Sequence, residues 1–335
     1  MQHPGITLLL GLGLSASGLL GEAAPATSQP TTNPVAGNGW DARWFAYEPV
    51  RERVVELSTP TRAQVDWNAR PPRLAADAPE PVATRRAVKP VTVDGIDIVH
   101  VRFRSRSGDI VPALLCTPAK KSGPFPVVIA VHGMGSNKAQ VCGQVAPALT
   151  RRGFAVLAPD MPLHGERPGD TRGVFEKKDF LTALMRYRQA VMNVRQAIDV
   201  AETLPQLDVS RGVVLAGYSM GSWIHSLAGP ADERVRAMVL MVGGASDVNG
   251  FVRVFPQIAS ADPAMAIPNF IGRPLLMLNA TFDSTVTPDM GKRLFNAAAE
   301  PKEQRWYDSG HRLPDEAYED AAEWVKRTWA KVIAD

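Results

Sequence analysis

The sequence predicts an α/β fold in which a mostly parallel sheet is covered by helices on both faces. The first observation is the continuous apolar run at residues 126–131, which suits a central strand with two buried faces. The second is the regular alternation of such runs with helical patterns as far as residue 333. The third is composition, because 335 residues with 45% hydrophobic and 21% charged side chains suffice for a large globular core.

The N-terminal residues 1–26 have the layout of a secretory signal peptide. An apolar run at 6–20 precedes small residues, which place the cleavage site near Ala24 or Ala26. The alternative, a buried N-terminal helix, is disfavoured by glycines at positions 11, 13, 18 and 21. Residues 27–39 are rich in small and polar residues and predict a flexible spacer. We therefore expect an exported protein, periplasmic or secreted, without stable membrane insertion after signal removal.

Residues 40–95 predict an N-terminal extension that packs on the main domain. The segment mixes tryptophans and other aromatic residues with several prolines, and residues 51–57 suggest a short helix. It contains no recognisable chemical motif. The main domain is predicted to span residues 96–335.

The main domain is predicted to begin with a β-hairpin at residues 96–103 and 110–116, because Ser107-Gly108-Asp109 between them is a turn sequence. Alternating strands and helices follow. The predicted strands are 126–131, 154–158, 213–216, 237–242, 275–279 and 304–307, and the predicted helices are 138–152, 178–204, 288–298, 315–333 and one from Ser219 onward. The stretch from 243 to 271 is predicted to be irregular.

Charge and cysteine content exclude some partners. The chain has 37 Lys and Arg against 34 Asp and Glu, a net charge of +3 without basic blocks, so we expect no nucleic-acid partner. Cys116 and Cys142 allow one disulfide without requiring it, and their spacing does not suit a zinc site. A pair such as His164 and Glu166 alone cannot complete a metal site, so we expect no bound metal. The oligomeric state is left open.

The most specific motif is Gly217-Tyr218-Ser219-Met220-Gly221, a G-x-S-x-G sequence between an apolar strand and a helical pattern. A nucleophilic serine must sit on a sharp, strained turn, and the flanking glycines Gly217 and Gly221 allow the backbone to pass closely there. We predict that Ser219 is the nucleophile.

A serine nucleophile needs a base and an acid later in the chain. His311 follows the last predicted strand, whereas the alternative, His225, lies inside the helix of the nucleophile. Asp283 follows the strand 275–279 and is preferred over Asp289, whose position in the first turn of a helix is explained by the helix dipole.

Acyl transfer also needs two donors for the developing oxyanion. One is expected to be the backbone N–H of Met220, next to the nucleophile. The second is expected from the loop after residues 126–131, with Met134 preferred and Gly133 next. His132 is expected to shape this loop through hydrogen bonds.

Five short segments stand in the order that is typical of the α/β-hydrolase superfamily. They are His132-Gly133, residues 160–167, residues 217–221, Asp283-x-x-Val286-x-Pro288 and Gly310-His311. Over about residues 96–333 the chain most resembles the dienelactone-hydrolase-like and acetyl-xylan-esterase-like branch. The resemblance implies an α/β-hydrolase fold with an eight-stranded sheet, a Ser-Asp-His triad and no cofactor. Dienelactone hydrolases proper use a cysteine nucleophile, so their lactone specificity does not transfer to Ser219.

The leading hypothesis is a serine esterase that cleaves small-molecule carboxylic esters, with short acyl groups, through an acyl-enzyme. A second hypothesis is a serine peptidase or amidase related to prolyl oligopeptidases, although residues 1–95 contain no propeller domain of that kind. A third is a binding protein that keeps the fold without catalysis, since fold alone does not determine function.

Overall fold

The structure is a computed structural model that describes residues 40–47, 55–68, 72–75, 77–84, 88–171, 180–246, 260–332 and 334. The predicted signal peptide and spacer lie outside these residues. Within the described ranges, no helix combines the length and the apolar character needed to cross a membrane.

One sheet of eleven strands forms the centre of the described chain. The strands are β1 (Val55–Ser58), β2 (Val91–Val93), β3 (Ile96–Arg104), β4 (Ile110–Pro118), β5 (Phe125–Val131), β6 (Ala155–Pro159), β7 (Leu207–Asp208), β8 (Val213–Tyr218), β9 (Val235–Met241), β10 (Leu275–Ala280) and β11 (Lys302–Tyr307). Their order across the sheet is β1-β3-β4-β6-β5-β8-β9-β10-β11, with β2 paired to β3 and β7 paired to β5. From β6 to β11 all neighbours on this path are parallel.

The eight strands that the resemblance implied are β3 to β6 and β8 to β11. The short strands β1, β2 and β7 are additions to them. The predicted α/β-hydrolase fold is therefore confirmed, with a mostly parallel sheet whose antiparallel pairs lie at the β1–β6 side.

Helices cover both faces of the sheet. They are α1 (Lys138–Arg151), α2 (Phe180–Ala201), α3 (Met220–Ala231), α4 (Pro263–Ala266), α5 (Pro288–Ala297) and α6 (Asp315–Val332), with 3-10 turns at Ala42–Phe45, Arg62–Gln64 and Ile267–Asn269. Side chains alternate between two cores, because successive strand residues point to opposite faces. Thus Ile129 of β5 packs with α2 and α3, whereas its neighbour Val128 packs with α1 and α6.

The predicted helix at 51–57 is wrong in its described part, since residues 55–57 belong to β1. Val55 to Ser58 pair antiparallel with Phe103 to His100 of β3. The reason is a long-range one: the edge of β3 offers unpaired N–H and C=O groups, and a short segment containing Val and Leu satisfies them. The hairpin β2–β3 likewise runs across the predicted boundary at 95/96, so the extension continues the sheet of the main domain.

Candidate active site

Ser219 lies on a sharp turn between β8 and α3, at the carboxyl edge of the sheet. Its φ of 52° and ψ of −108° are strained for a residue with a side chain, as expected of a nucleophile elbow. A Cβ atom at Gly217 would lie 2.5 Å from the backbone of Gly221, and one at Gly221 would lie 2.1 Å from the Val131 carbonyl oxygen. Both glycines are therefore required by close backbone packing.

His311 connects Ser219 to Asp283. Its Nε2 is 3.0 Å from Ser219 Oγ, and its Nδ1 is 2.7 Å from Asp283 Oδ2. The Asp283 side chain is buried and its Oδ1 accepts hydrogen bonds from the N–H groups of Thr285 and Val286, at 2.8 and 2.9 Å. The carboxylate is thus fixed in the orientation that makes His311 Nδ1 a donor, which leaves Nε2 free to accept the serine proton.

The two rejected candidates lie elsewhere. His225 is fully buried inside α3, and within the described residues neither ring nitrogen has a hydrogen-bond partner. Burial lowers the pKa of His225 to about 3, so the ring is neutral. The Asp289 side chain is 90% exposed and lies 4.0 Å from Lys292 in the first turn of α5. Of the weighed candidates, the structure brings only His311 and Asp283 to Ser219.

The loop after β5 lies against the nucleophile. A Cβ atom at Gly133 would be 3.5 Å from Ser219 Cβ, so the backbone of Gly133 adjoins the nucleophile. Met220 contributes the first residue of α3 on the other side. The structure therefore places two of the predicted donor residues, Gly133 and Met220, next to Ser219, and the role of Met134 stays a prediction.

His132 ties this loop to the loop after β6. The Met161 N–H donates to His132 Nε2 at 3.1 Å, so Nδ1 carries the ring proton and donates to the Gly133 carbonyl at 2.9 Å. Burial, followed by the neighbouring His164 ring, lowers the pKa of His132 to about 3 and keeps it neutral. A neutral imidazole with one donor and one acceptor is what this bridge needs.

Tyr218 was not singled out from the sequence, yet it holds the loop of His311. Its hydroxyl donates to the His311 carbonyl at 2.7 Å and accepts from the Leu313 N–H at 3.1 Å. The only sequence signal was an aromatic residue at the second position of the pentad. Ser222 supports the elbow in a similar way, since its hydroxyl contacts the carbonyls of Gly217 and Met241 at 2.8 Å.

The segment from Asp160 to Arg167 is buried beside the site. His164 Nδ1 contacts the Pro162 carbonyl at 2.8 Å, and burial lowers the pKa of the ring. Among the described residues, no group of three or more metal-binding side chains is found.

A small cavity adjoins Met220. It has a volume of about 20 Å³, which is room for one water molecule or a small apolar group. Its walls come from the loop after β6, from α2 and from the first turns of α3. They are Met161, Pro162, His164, Arg186, Tyr187, Ala190, Met220 and Ile224.

Comparison with known proteins decides the family. The sequence profile of the alpha/beta hydrolase family matches residues 128–335, more than half of the chain. The chain belongs to the alpha/beta hydrolase family. This match begins inside β5 and includes the elbow, Asp283 and His311.

Relatives of this α/β hydrolase are named as esterases. Esterase YjfP of Escherichia coli (strain K12) is 26% identical over 253 residues, which are 68% of this chain and 99% of YjfP. Acetyl xylan esterase 1 from Thermoanaerobacterium sp. JW/SL YS485 superposes with a TM-score of 0.58 at 19% identity, covering 71% of this chain and 86% of that one. A cold-adapted esterase from an Arctic intertidal metagenomic library gives a TM-score of 0.59 at 21% identity, covering 72% and 97%. The structural likenesses establish the shared fold, and the predicted resemblance to this group is confirmed.

Proposed function

We propose that this α/β hydrolase is a serine esterase that cleaves carboxylic esters of small molecules through an acyl-enzyme on Ser219. The observation that carries the proposal is the pair of hydrogen bonds that places His311 between Ser219 on the elbow and the buried Asp283. The 26% identity to an esterase along nearly its whole length supports esters as the substrate class.

The geometry of the candidate triad supports the following steps of acyl transfer. His311 Nε2 accepts the proton of Ser219 Oγ as the oxygen attacks the ester carbonyl, and Asp283 stabilises the resulting imidazolium. The oxyanion accepts hydrogen bonds from the backbone N–H of Met220 and from the Gly133–Met134 part of the opposite loop. The imidazolium then protonates the leaving alcohol, and a water molecule activated by the same histidine releases the acid.

The short acyl preference is supported by the cavity beside Met220. Its volume of about 20 Å³ accommodates a group such as a methyl and is too small to hold the whole of a long acyl chain. Ile224 of α3 and Ala190 of α2 are two of its apolar walls. We therefore place the acyl methyl end of an acetyl ester in this cavity.

The first experiment labels the purified protein with a fluorophosphonate and maps the adduct by mass spectrometry. An adduct on Ser219 is expected, together with turnover of p-nitrophenyl acetate that falls at least about 10⁴-fold in Ser219→Ala. Retained turnover in a folded Ser219→Ala protein would remove this residue from the mechanism. Amide substrates cleaved faster than the matched esters would favour the peptidase hypothesis, and absence of both labelling and turnover would favour a binding protein.

The second experiment compares p-nitrophenyl esters of increasing chain length. Ile224→Ala enlarges the cavity and is expected to shift the best substrate from acetyl to a longer acyl group. Leu227→Ala removes an equally buried side chain from the same helix without lining the cavity, so it is the matched control. Both variants should lose roughly 2–5 kcal/mol of stability. Equal chain-length profiles in the two variants would contradict the acyl assignment.

Export is proposed on the composition of residues 1–26, and the division at 39/40 and 95/96 stays a prediction. Fractionation of cells that express the full chain should recover the protein outside the cytoplasm, with a mature N-terminus near residue 25 or 27. An intact Met1 on the recovered protein would contradict the signal peptide.

A further inference from the structure

A second set of buried charges lies between the N-terminal extension and the active site. This charge cluster consists of Lys138, Asp160, Glu166 and His100. The Lys138 ammonium is fully buried at the start of α1 and contacts Asp160 Oδ2 at 2.6 Å and Glu166 Oε1 at 2.7 Å. His100 Nε2 lies 3.1 Å from Glu166 Oε1 and 3.2 Å from Oε2.

Lys138 and Glu166 are held in their charged forms. Burial alone would lower the pKa of Lys138, but the charges of Asp160 and Glu166 outweigh it and raise that pKa. Burial likewise opposes ionisation of Glu166, yet the hydrogen bond from His100 and the charge of Lys138 bring its pKa down to about 2. Removing one partner of such a buried pair leaves the other charge uncompensated, which makes every member structurally consequential.

On one side, the cluster and the residue next to it contact both ends of the loop from His132 to Lys138, which we call the oxyanion loop. At the far end of the loop, Asp160 Oδ1 accepts a hydrogen bond from the Lys138 N–H at 2.9 Å. At the near end, the residue after Asp160 is Met161, whose N–H binds His132 Nε2. The loop between His132 and Lys138 is thereby attached at two points to the short segment around Asp160.

On the other side, the cluster is contacted by the extension. Gln64 Nε2 donates to Glu166 Oε1 at 3.1 Å, and the Leu74 N–H donates to the Glu166 carbonyl at 2.5 Å. Trp67 packs on α1 so closely that a Cβ atom at Gly143 would lie 2.8 Å from the Trp67 side chain. The extension thus reaches both Glu166 and the helix that follows the oxyanion loop.

We propose that Glu166 is a positioning residue through which the N-terminal extension fixes the oxyanion loop. Gln64 and His100 orient the Glu166 carboxylate, which shares the Lys138 ammonium with Asp160. The segment around Asp160 in turn fixes His132 and the backbone at Gly133 and Met134. The inference rests on the proposed function, since it assigns the loop an oxyanion-binding role. It gives residues 40–95 a part in catalysis although they contain no catalytic motif.

The test is Glu166→Gln, which keeps the shape of the side chain and removes its charge. With p-nitrophenyl acetate, kcat is expected to fall about 10- to 100-fold while KM changes less than about threefold, because displaced donors stabilise the transition state less. A trifluoromethyl ketone, which binds serine hydrolases as an oxyanion adduct, should lose affinity by the same factor as kcat/KM. If Glu166 were needed only for folding, its substitution would lower the melting temperature. The kcat and the ketone affinity of the folded enzyme would then be unchanged.

Asp232→Asn is the matched control. Asp232 is a buried carboxylate that contacts Arg195 at 3.1 Å and Arg234 at 2.8 Å, and Arg195 also reaches the extension through the Phe45 carbonyl. It is the C-cap residue of α3, at the end opposite to Ser219, about 20 Å along the helix axis. Asp232→Asn should lower the melting temperature without changing kcat per labelled active site.

Gln64→Ala is a second test for the case that Glu166→Gln does not fold. Because Gln64 is only partly buried, we expect this variant to fold. It is expected to lower kcat two- to fivefold and to weaken the ketone by the same factor. Wild-type kcat and ketone affinity in folded Glu166→Gln, or in Gln64→Ala when the first variant does not fold, would overturn the proposal. Fluorophosphonate labelling of the wild-type protein separates the two failures: labelling at Ser219 without these effects overturns the role of Glu166 alone, whereas no labelling overturns the proposed esterase.

Discussion

The structure contains two networks of charged and polar side chains that differ in how far their side chains are exposed to solvent. In the charge cluster, every carboxylate oxygen of Asp160 and Glu166 accepts at least one hydrogen bond. In the candidate triad, Asp283 is just as satisfied, but the His311 side chain is 31% exposed and Ser219 is only partly buried. The charge cluster consists of buried residues, whereas the candidate triad ends at two partly exposed residues, Ser219 and His311.

This difference separates two uses of the same chemistry. A carboxylate that is fully paired inside the protein holds two segments together, since moving either segment breaks a charge-assisted hydrogen bond. A carboxylate that orients a histidine toward a serine fixes the ring in the position from which it can accept the serine proton. We therefore expect changes in the triad to act mainly on rate, and changes in the charge cluster to act on stability as well.

Among the variants that compare the two networks, the largest effect should follow from Asp283→Asn. The amide presents an N–H toward His311 Nδ1 and favours the wrong ring tautomer, so kcat is expected to fall about 10³- to 10⁴-fold with little loss of fold. The measurement is steady-state turnover of p-nitrophenyl acetate alongside thermal unfolding. Asp289→Asn is the control, because that side chain is exposed on α5 and should leave kcat unchanged. Equal rates for the two variants would mean that the acid has been misassigned.

The arrangement of Ser219, His311 and Asp283 in the structure could be predicted because its sequence signals are local. The elbow is written in five consecutive residues, and His311 and Asp283 each follow a strand at the edge where the elbow lies. The rivals His225 and Asp289 were distinguished by position in a helix, and the structure places both away from Ser219. Local sequence is sufficient here because the fold brings strand ends together at one edge.

The charge cluster could not be predicted in the same way, because its contacts join residues far apart in sequence. Glu166 and Gln64 are separated by 102 residues, and Lys138 and Asp160 by 22. One sequence signal was present. Lys138 is the first residue of α1, where a positive charge interacts unfavourably with the helix dipole unless a carboxylate lies nearby. β1 was misassigned for the same reason, since its partner strand is not visible from its own residues.

An intermediate effect concerns the pH dependence of the charge cluster. The pKa of Glu166 is about 2 in the folded protein, below its ordinary value of 4.5, so its ionised form stabilises the fold. This contribution is complete above about pH 4.5 and is lost as pH falls toward 2, and it amounts to at most about 3 kcal/mol. Unfolding free energies of the wild type and Glu166→Gln should therefore converge between pH 4.5 and 2. If the difference between the two unfolding free energies stayed constant over this range, Glu166 would not be ionised in the folded protein as proposed.

The smallest effect on kcat should come from a substitution of Tyr218, which shares one property with each network. Its hydroxyl is engaged inside the protein, as the carboxylates of the charge cluster are, but two of its partners are backbone groups of the His311 loop. Tyr218→Phe leaves the Leu313 N–H without this acceptor, which should cost about 1–3 kcal/mol of stability. It should also loosen the histidine loop and lower kcat about tenfold, measured with p-nitrophenyl acetate at a temperature where the variant is folded.

Tyr307→Phe is the control for this last change. Tyr307 is a similarly buried tyrosine whose hydroxyl contacts Asp320 Oδ2 at 2.7 Å, and it lies on β11 with its partner on α6. It should lose comparable stability at unchanged kcat. If Tyr218→Phe also loses stability at unchanged kcat, the Tyr218 hydroxyl is not needed to position His311. Its role next to the triad is then structural. If only Tyr218→Phe loses rate, a saturated hydrogen bond contributes to catalysis by fixing the backbone that carries the base.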